Sequence, residues 1–508
     1  MAKMFRVIAA VLLAAAFFAG CGSATTPPPP SATPNVQVVS ETSAATPIPV
    51  LTSEPMPRYG EYNVSLDINP ELRLVKGIEK VMFRNLTGLP MSTLSFHCYF
   101  NTFSESSTYK PYFEAFAPRI FPGGTKYGAM NIISVQTSNT DMPYLLKDAV
   151  LTVTFAEPLK ADGEIEISIQ FDAFIPEMNH RTGGNLEAMW FGNFIPLLVG
   201  FDKKWNPNEY YPAGNPFYSN IANFNVKIVT PADYVVAATG DAMVTETDGK
   251  KTSIFVAKRM RDFAFAIGKS YDVSSVKTDG GVLINLYTFS DGVDTQALMK
   301  AAADGIQYFS GILGSYPYSS FDIVETGLFM PCGMSYPMLM FIDSEALTDG
   351  VPYVLHEVGR QWFYNMLGNN QVEESWLSEG FVTYLQERVY KTQEQIALAM
   401  KNDYNYLRSK ISALGNNANM SRPLSVYKSW NDYDMVQCTR AKLMVYSLNR
   451  LMGDEKFNEF LKAYFSQFIF RTASKKEFIQ AAENVYGESL TEFFKGWLEN
   501  NSLPQFQS

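Results

Sequence analysis

Apolar positions follow two different patterns along the chain. From about residue 58 to about residue 273, short alternating or β-branched runs are separated by turns of Gly, Pro, Asn and Asp, a pattern typical of antiparallel strands. From about Asp294 onward, apolar residues recur at helical spacing. We therefore predict an α+β multidomain fold, in which an N-terminal antiparallel β domain is followed by a mainly helical domain.

The same patterns predict individual elements. Strands are expected at Ile78–Phe83, Ala149–Phe155, Ile165–Phe171, Phe224–Val229, Tyr234–Ala238 and Val282–Tyr287. The clearest helix has apolar residues at positions 351, 354, 355, 358, 362, 366 and 367, with Asp349 as its start and Gly368 as its stop. Further helices are predicted around Trp376–Arg388, Tyr433–Leu451, Glu455–Phe465, Lys475–Val485 and Leu490–Glu499.

The first twenty residues have the pattern of an export signal. Lys3 and Arg6 precede an apolar run over positions 7–18, which is too short to span a bilayer about 30 Å thick. The segment 18–21 ends in Cys21 and resembles a bacterial lipobox. That resemblance implies cleavage after residue 20 and lipidation of Cys21, while the alternative is an ordinary signal peptide beside an unrelated Cys. We expect an exported lipoprotein, membrane-anchored on the extracytoplasmic side.

A Pro-, Ser- and Thr-rich stretch follows at 22–57 and includes Pro27 to Pro30 in a row. Such a segment cannot bury a core and favours extended polyproline geometry. We interpret 21–57 as a lipid-anchored tether. The predicted order is a signal peptide at 1–20, the tether at 21–57, the β domain at 58–273, the helical domain at 274–500 and a tail at 501–508.

Composition and charge narrow the classes of function. Of the 508 residues, 46% are hydrophobic and 14% aromatic, so the chain buries a sizeable core and is not disordered as a whole. The formal net charge is -10, and no run of basic residues could follow a phosphate backbone, which argues against nucleic acid as a partner. The four Cys residues are too few and too scattered for a disulfide scaffold or a Cys-rich zinc module.

Candidate chemistry lies in the second domain, where His356 and Glu357 are followed by Arg360 and later by Glu379. Zinc hydrolases of the HExxH type place two His residues four apart on one helical face. The Glu between them is the general base, and a third ligand arrives from elsewhere. Here Arg360 stands at the second His position, and Glu379 follows 19 residues after it.

Three further segments extend this pattern to a known family. Cys332–Pro337 resembles the GGMEYP form of a substrate-strand motif, and Gly214–Ser219 and Val235–Gly240 resemble segments of the same family's β domain. Together these segments make the chain, from about residue 58 to about residue 500, similar to the aminopeptidase N-like family of gluzincin metallopeptidases. The resemblance implies a thermolysin-like (gluzincin) second domain, zinc as the cofactor, and a peptide or protein ligand in the cleft.

The resemblance also implies roles for single residues. His356 matches the first zinc ligand, Glu357 the general base and Glu379 the third ligand. In the family's mechanism zinc activates a water molecule and polarises the scissile carbonyl, and the general base takes the proton.

Three other matched positions depart from the family's chemistry. Arg360, at the second zinc ligand, is a permanent cation with no lone pair for a metal. On the substrate strand Gly333 and Met334 match, but Ser335 replaces the Glu that holds the peptide amine. Gln437 takes the place of the catalytic Tyr that donates to the oxyanion. These departures count against zinc binding and hydrolysis, although the family by itself implies both.

Arg360 suggests a replacement for the metal. It projects from the same helical face as His356, toward Glu357 and Glu379, and its guanidinium has the geometry to pair with both carboxylates. We predict an internal ion-pair cluster in place of a zinc site, and the alternative is a solvated helix residue. Two functions stay open: a noncatalytic relative with a peptide-binding cleft, which the substituted residues favour, and a working zinc peptidase. A purely structural envelope protein is a third possibility.

Other chemistry-bearing residues receive ordinary interpretations. His97 and His180 are expected to be surface or core residues of the β domain, with replacement metal ligands as the alternative. Cys332 and Cys438 lie beside two altered motifs and are interpreted as buried free thiols, with a disulfide between them as the alternative. Packing is the expected role of Trp362, Phe363, Trp376 and Phe381, and also of Tyr433, for which a position that reaches the cleft is the alternative.

Overall fold

The computed structural model describes residues 60–506. The predicted signal peptide, Cys21 and the tether lie outside the described residues, as do residues 507 and 508. Within 60–506, none of the helices combines the length and the apolar character that a bilayer crossing needs.

An eight-stranded sheet forms the frame of the first domain. Its strands are, in order across the sheet, Asp241–Thr247, Lys250–Met260, Ala222–Pro231, Gly60–Asn69, Leu74–Arg84, Glu164–Phe174, Ala129–Thr137 and Thr140–Asp141. Gly60–Asn69 and Ala222–Pro231 pair in parallel, and the other neighbours are antiparallel. Leu74–Arg84 alternates exposed and buried residues along its whole length, as expected when one face covers a core and the other meets solvent.

Three smaller sheets complete the first domain. One contains Val235–Ala238, Phe265–Gly268, Ala188–Phe191 and Thr182–Gly184; another contains Leu197–Leu198, Met91–His97, Val150–Leu159 and Tyr144–Lys147; the third pairs Phe201–Asp202 with Lys204–Trp205. Short helical turns lie at Tyr99–Phe103, Glu114–Phe116 and Ala117–Ile120. Apolar side chains of these sheets join those of the second domain in a large core and in a second, smaller apolar cluster.

A five-stranded mixed sheet opens the second domain. Its order is Asp272–Lys277, Leu283–Thr288, Ser320–Thr326, Leu339–Asp343 and Gly333–Tyr336. Gly333–Tyr336 is therefore an edge strand. The apolar pattern predicted only the strand at Leu283–Thr288. Ser320–Thr326 and Leu339–Asp343 are almost uniformly buried, so they lack the alternation that identifies a strand.

Helices make up most of the second domain. They are Thr295–Ile312, Val351–Trp362, Trp376–Leu385, Glu387–Tyr390, Gln393–Lys410, Trp430–Tyr433, the π-helix Asp434–Arg440, Ala441–Met452, Asp454–Phe468, Lys475–Tyr486 and Thr491–Leu498. Shorter 3-10 turns lie at Ser344–Asp349, Ile411–Ala418 and Leu424–Val426. The predicted order, a β domain followed by a mainly helical domain, is confirmed.

Two predicted helices differ in detail. The helix expected to reach residue 367 ends at Trp362, because the next residue, Phe363, is extended, with a backbone ψ of 105°. Tyr364 follows with a φ of 111°, which an α-helix cannot accommodate either. Asp349 ends a preceding 3-10 turn and does not cap this helix. The helix expected at Tyr433–Leu451 contains the π-helix Asp434–Arg440, followed by an α-helix. The wider π turn leaves no clear mark in the apolar spacing.

Candidate functional site

The helix Val351–Trp362 carries three of the candidate residues. Pro352 lies at its N-terminal end, where the missing backbone N–H is tolerated. The helix packs against Thr295–Ile312 through its apolar side. Because residues four apart share a helical face, His356 and Arg360 project to the same side.

Glu379 comes from the next helix, Trp376–Leu385, and is only 3% exposed. This helix runs very close to the segment that follows the π-helix, since a Cβ on Gly380 would lie 2.8 Å from the Cβ of Ala441. Only glycine permits this approach. It brings Cys438 next to Glu379, with 4.0 Å between Sγ and Oε2.

Glu379 is the centre of a buried group of charges. Arg360 Nη1 donates to its Oε1, and His356 Nε2 lies 3.3 Å from its Oε2. From the first domain, Asn215 Nδ2 donates to Oε1 over 3.2 Å. Arg360 Nε also lies 3.9 Å from Glu357 Oε2, so one guanidinium faces both carboxylates. We call His356, Glu357, Arg360 and Glu379 the charge cluster.

These neighbours shift the pKa values within the charge cluster. Burial raises the pKa of Glu379, but Arg360 and His356 outweigh burial and lower this pKa to about 2. Burial lowers the pKa of His356, but the Glu379 and Glu357 carboxylates outweigh burial and raise it above its ordinary value. Burial also raises the pKa of Glu357, whose Oε2 has no hydrogen-bond donor among the described residues.

The edge strand Gly333–Tyr336 packs directly against Glu357. A Cβ on Gly333 would lie 2.9 Å from Glu357 Oε1, so the strand and the carboxylate are in close contact. Ser335 is fully buried. Its Oγ donates to the Glu357 carbonyl over 3.0 Å and accepts from two side-chain amides, including Gln361 at 2.7 Å. The Ser335 hydroxyl is thus part of the packing between strand and helix.

Met334 and Gln437 face away from the charge cluster. Side chains alternate along a strand, and Met334 is buried in an apolar group on the opposite face from Gly333. Gln437 Nε2 donates to Tyr427 Oη over 2.6 Å and to the Met420 carbonyl over 3.3 Å. The next residue, Cys438, is the one that contacts the charge cluster, through Glu379.

Three contacts of the cluster were not anticipated from the sequence. Besides Asn215, these are Gln386, whose Oε1 lies 3.0 Å from His356 Nδ1, and Tyr364, whose ring centre lies 4.8 Å from the guanidinium carbon of Arg360. Gln386 follows Glu379 by two helical turns, so helical spacing could have indicated that both side chains lie on one face. Asn215 lies in the segment Gly214–Ser219, which resembles the family's β domain, but nothing local to that segment shows that its amide reaches the second domain.

The remaining candidate residues lie apart from this chemistry or at its margin. His97 and His180 are buried in the first domain, 1% and 3% exposed, and burial lowers the pKa of both. Within residues 60–506, Cys98, Cys332 and Cys438 are free thiols. Cys332 and Cys438 are only partly buried, and no disulfide joins them.

Comparison with known proteins places the second domain in a family. Residues 300–497 match the family described as Peptidase family M1 domain. Aminopeptidase O of Homo sapiens is 23% identical over 250 residues, which cover 42% of this chain and 30% of that protein. Aminopeptidase B of Rattus norvegicus is 27% identical over 212 residues, covering 39% and 31%. The chain thus spans about a third of the length of the curated relatives it matches.

The whole fold also has solved counterparts. The M1 zinc metallopeptidase from Deinococcus radiodurans matches with a TM-score of 0.64 at 17% sequence identity, covering 89% of this chain and 96% of that chain. The described domains and the M1 match together define a two-domain fold of the gluzincin metallopeptidase class. The family match over residues 300–497, the aminopeptidase relatives and the shared fold together support an aminopeptidase N-like family for this domain.

Members of this family are zinc-dependent, but the residues present here do not fit a zinc ion. Arg360 has no lone pair to offer, and its Nη1 donates a hydrogen bond to Glu379 Oε1. Both ring nitrogens of His356 face acceptor oxygens, which favours the doubly protonated ring over a ligand. Among residues 60–506, no group of three or more His, Cys, Asp and Glu side chains is arranged to hold a metal.

Proposed function

We propose that this member of the family binds peptides without hydrolysing them. The observation that carries the proposal is the Arg360 guanidinium on Glu379, because a cation then stands where the family holds zinc. Without zinc, Glu357 has no activated water to deprotonate and the scissile carbonyl is not polarised. Two further groups are also missing. Ser335 replaces the carboxylate that would hold the peptide amine, and Gln437 replaces the phenol that would donate to the oxyanion.

The edge strand Gly333–Tyr336 supports peptide recognition. Among the described strands it pairs only with Leu339–Asp343, and an unpaired strand edge is a common site for an extended peptide. All four of its residues are buried, so a peptide would reach this edge only after the covering side chains move. His356 keeps 22% of its side chain exposed and links this region to solvent. The Deinococcus enzyme has been solved as a mutant bound to a Tyr-Ser-Ala substrate, and we propose that this chain takes ligands of the same chemical class.

Zinc content and hydrolysis test the first half of the proposal. Full-length protein is equilibrated with micromolar zinc, desalted and subjected to elemental analysis, and aminoacyl-coumarin substrates report hydrolysis. We expect neither stoichiometric zinc nor cleavage in the wild type. Arg360→His restores the HExxH spacing and should take up about one zinc per chain. Arg440→His is the matched control, because Arg440 is equally buried but donates to backbone carbonyls.

Two outcomes would overturn this half. A wild type that holds about one zinc per chain, removable by chelator, and cleaves peptides is the working zinc peptidase that the family alone implies. A folded Arg360→His protein that stays metal-free would show that the missing His is not what excludes zinc.

Peptide binding is tested separately by fluorescence anisotropy. The probes are Tyr-Ser-Ala and an alanine hexapeptide, each carrying the dye at its C-terminus so that the amine stays free. We expect saturable binding to wild-type protein that a chelator does not change. A folded protein that binds neither probe contradicts the proposal and favours a structural envelope protein.

We also propose that residues 1–20 are an export signal and that Cys21 is lipidated, so that residues 21–57 hold the body near a membrane surface. The proposal rests on the basic start, the apolar run and the position of Cys21. Metabolic labelling with a fatty-acid analogue should mark the wild type and not Cys21→Ser. An exported but unlabelled wild type would contradict lipidation and support the alternative, an ordinary signal peptide.

A further inference from the structure

We infer that the charge cluster also joins the two domains, through an oriented chain of buried hydrogen bonds that runs from Arg181 in the first domain to Arg360 in the second. The inference rests on the metal-free site proposed above and goes beyond it, because it assigns Arg360 a role in positioning a loop of the other domain.

Asn215 is the middle of this chain and is held at both ends of its amide. Its Oδ1 accepts from Arg181 Nη2 over 2.8 Å, and its Nδ2 donates to Glu379 Oε1 over 3.2 Å. Exchanging the two ends would turn the NH2 group toward a guanidinium and the oxygen toward a carboxylate. Only one orientation satisfies both partners, so the amide dipole links a first-domain cation to a second-domain anion.

Arg181 is a buried cation with no carboxylate among its hydrogen-bond acceptors, although the rings of Tyr210, Phe217 and Trp430 also face its guanidinium. It is 1% exposed, and its guanidinium donates to Tyr210 Oη, the Gly214 carbonyl and the Asn215 side chain. None of these acceptors is a carboxylate. A buried cation without a counterion is unfavourable, and the carboxylate at the far end of its hydrogen-bond chain is Glu379.

Asn215 and Arg360 donate to the same atom, Glu379 Oε1. A change at Arg360 therefore alters the charge and position of the acceptor that Asn215 uses, although Arg360 lies in the other domain. Side chains that share one hydrogen-bond network are energetically coupled.

A second contact between the domains provides a built-in control. Tyr336 Oη donates to Asn193 Oδ1 over 3.1 Å, and Asn193 Nδ2 donates to Asp262. This contact is as buried as the first, but it shares no atom with the charge cluster. It should not respond to Arg360.

The test is a double-mutant cycle on the full-length protein, followed by thermal unfolding. The variants are Arg360→Met, Asn215→Ala and both together, with Asn193→Ala in place of Asn215→Ala as the control cycle. In the Arg360→Met background, Asn215→Ala should lower Tm by less than about half of its effect in the wild type, because its acceptor is already disturbed. Asn193→Ala should lower Tm equally in both backgrounds. An equal effect of Asn215→Ala in both backgrounds overturns the inference.

Hydrogen exchange gives a second readout that works on folded protein at room temperature. Residues 214–219 should exchange faster in Arg360→Met than in the wild type and return toward wild-type rates in Arg360→Lys, which keeps the charge. Glu379→Gln replaces Arg360→Met if the latter does not fold, with the same expectation for residues 214–219. Unchanged exchange in a folded variant overturns the inference. Zinc in the wild type would instead overturn the proposed function, so the two failures are distinguishable.

Discussion

Glu379 and Glu79 are both buried carboxylic acids, yet their surroundings act on them in opposite ways. Glu379 meets Arg360 and His356, which lower its pKa to about 2 against the effect of burial. Glu79, on the inner face of the strand Leu74–Arg84, is 0% exposed, and neither of its oxygens has a donor among the described residues. Burial alone acts there and raises the pKa well above its ordinary value.

At these two carboxylates, a cation in direct contact decides whether burial raises the pKa or is outweighed. In the charge cluster, ionised Glu379 and Arg360 stabilise each other, and removing either one leaves the other buried and unpaired. In the first-domain sheet, the raised pKa of Glu79 favours the neutral form, which avoids that penalty. The two sites should therefore respond to substitution with opposite signs.

The largest effect is expected when the compensation at Glu379 is removed. Arg360→Met keeps the length of the side chain but not its charge, and it should lower the free energy of unfolding by about 3–5 kcal/mol. Urea denaturation of the full-length protein at neutral pH measures this change. The control is Arg119→Met, which breaks an exposed ion pair with Glu345 and should change stability by about 0–1 kcal/mol. Equal changes in the two variants would show that Glu379 does not depend on Arg360.

The opposite sign is expected at Glu79. Glu79→Met removes an unsatisfied polar group and should raise the free energy of unfolding by about 1–3 kcal/mol at neutral pH. The folded-state pKa lies above the ordinary value of 4.5. Ionisation in the unfolded chain therefore destabilises the wild type increasingly as pH rises above 4.5, until the folded-state pKa is passed.

Denaturation on either side of pH 4.5 checks the direction at Glu79. The advantage of Glu79→Met should shrink below pH 4.5, where the wild-type carboxyl is protonated in both states. Glu166→Met on the neighbouring strand is the control, because Glu166 is 46% exposed. A stability difference at Glu79 that does not change with pH would mean that the buried carboxyl is not neutral in the folded protein.

The sequence predicted most residues of the charge cluster, but it did not predict that Glu79 is buried or that Asn215 contacts the cluster. Helical spacing placed His356 and Arg360 on one face, and the motif spacing indicated Glu379. Alternation along Ile78–Phe83 puts Glu79 in line with Val81, but Ile78 is apolar as well, so the pattern does not reveal which face is buried. Long-range contacts such as that of Asn215 depend on how loops meet across the domains, and no local pattern encodes that meeting.

Packing against Glu357 gives the next effect in size. Gly333→Ala would place a Cβ 2.9 Å from Glu357 Oε1, and the resulting displacement should cost about 1–3 kcal/mol. Urea denaturation measures the loss. Gly280→Ala is the matched control, since the nearest atom to its added Cβ is 3.8 Å away. Equal stability of the two variants would show that Glu357 moves freely, and the charge cluster would then be held by its ion pairs alone.

The smallest effect is expected at the rim of the charge cluster, where Gln386 holds His356. Gln386→Leu removes the acceptor of His356 Nδ1. The loss should be about 0.5–1.5 kcal/mol, because the partly exposed imidazole regains a hydrogen bond with water. The pKa of His356 should also fall, since the doubly protonated ring needs an acceptor at each nitrogen, and nuclear magnetic resonance titration of the imidazole measures it. An unchanged pKa would mean that Glu379 alone keeps His356 protonated. The one carboxylate of Glu379 would then balance the charges of both His356 and Arg360.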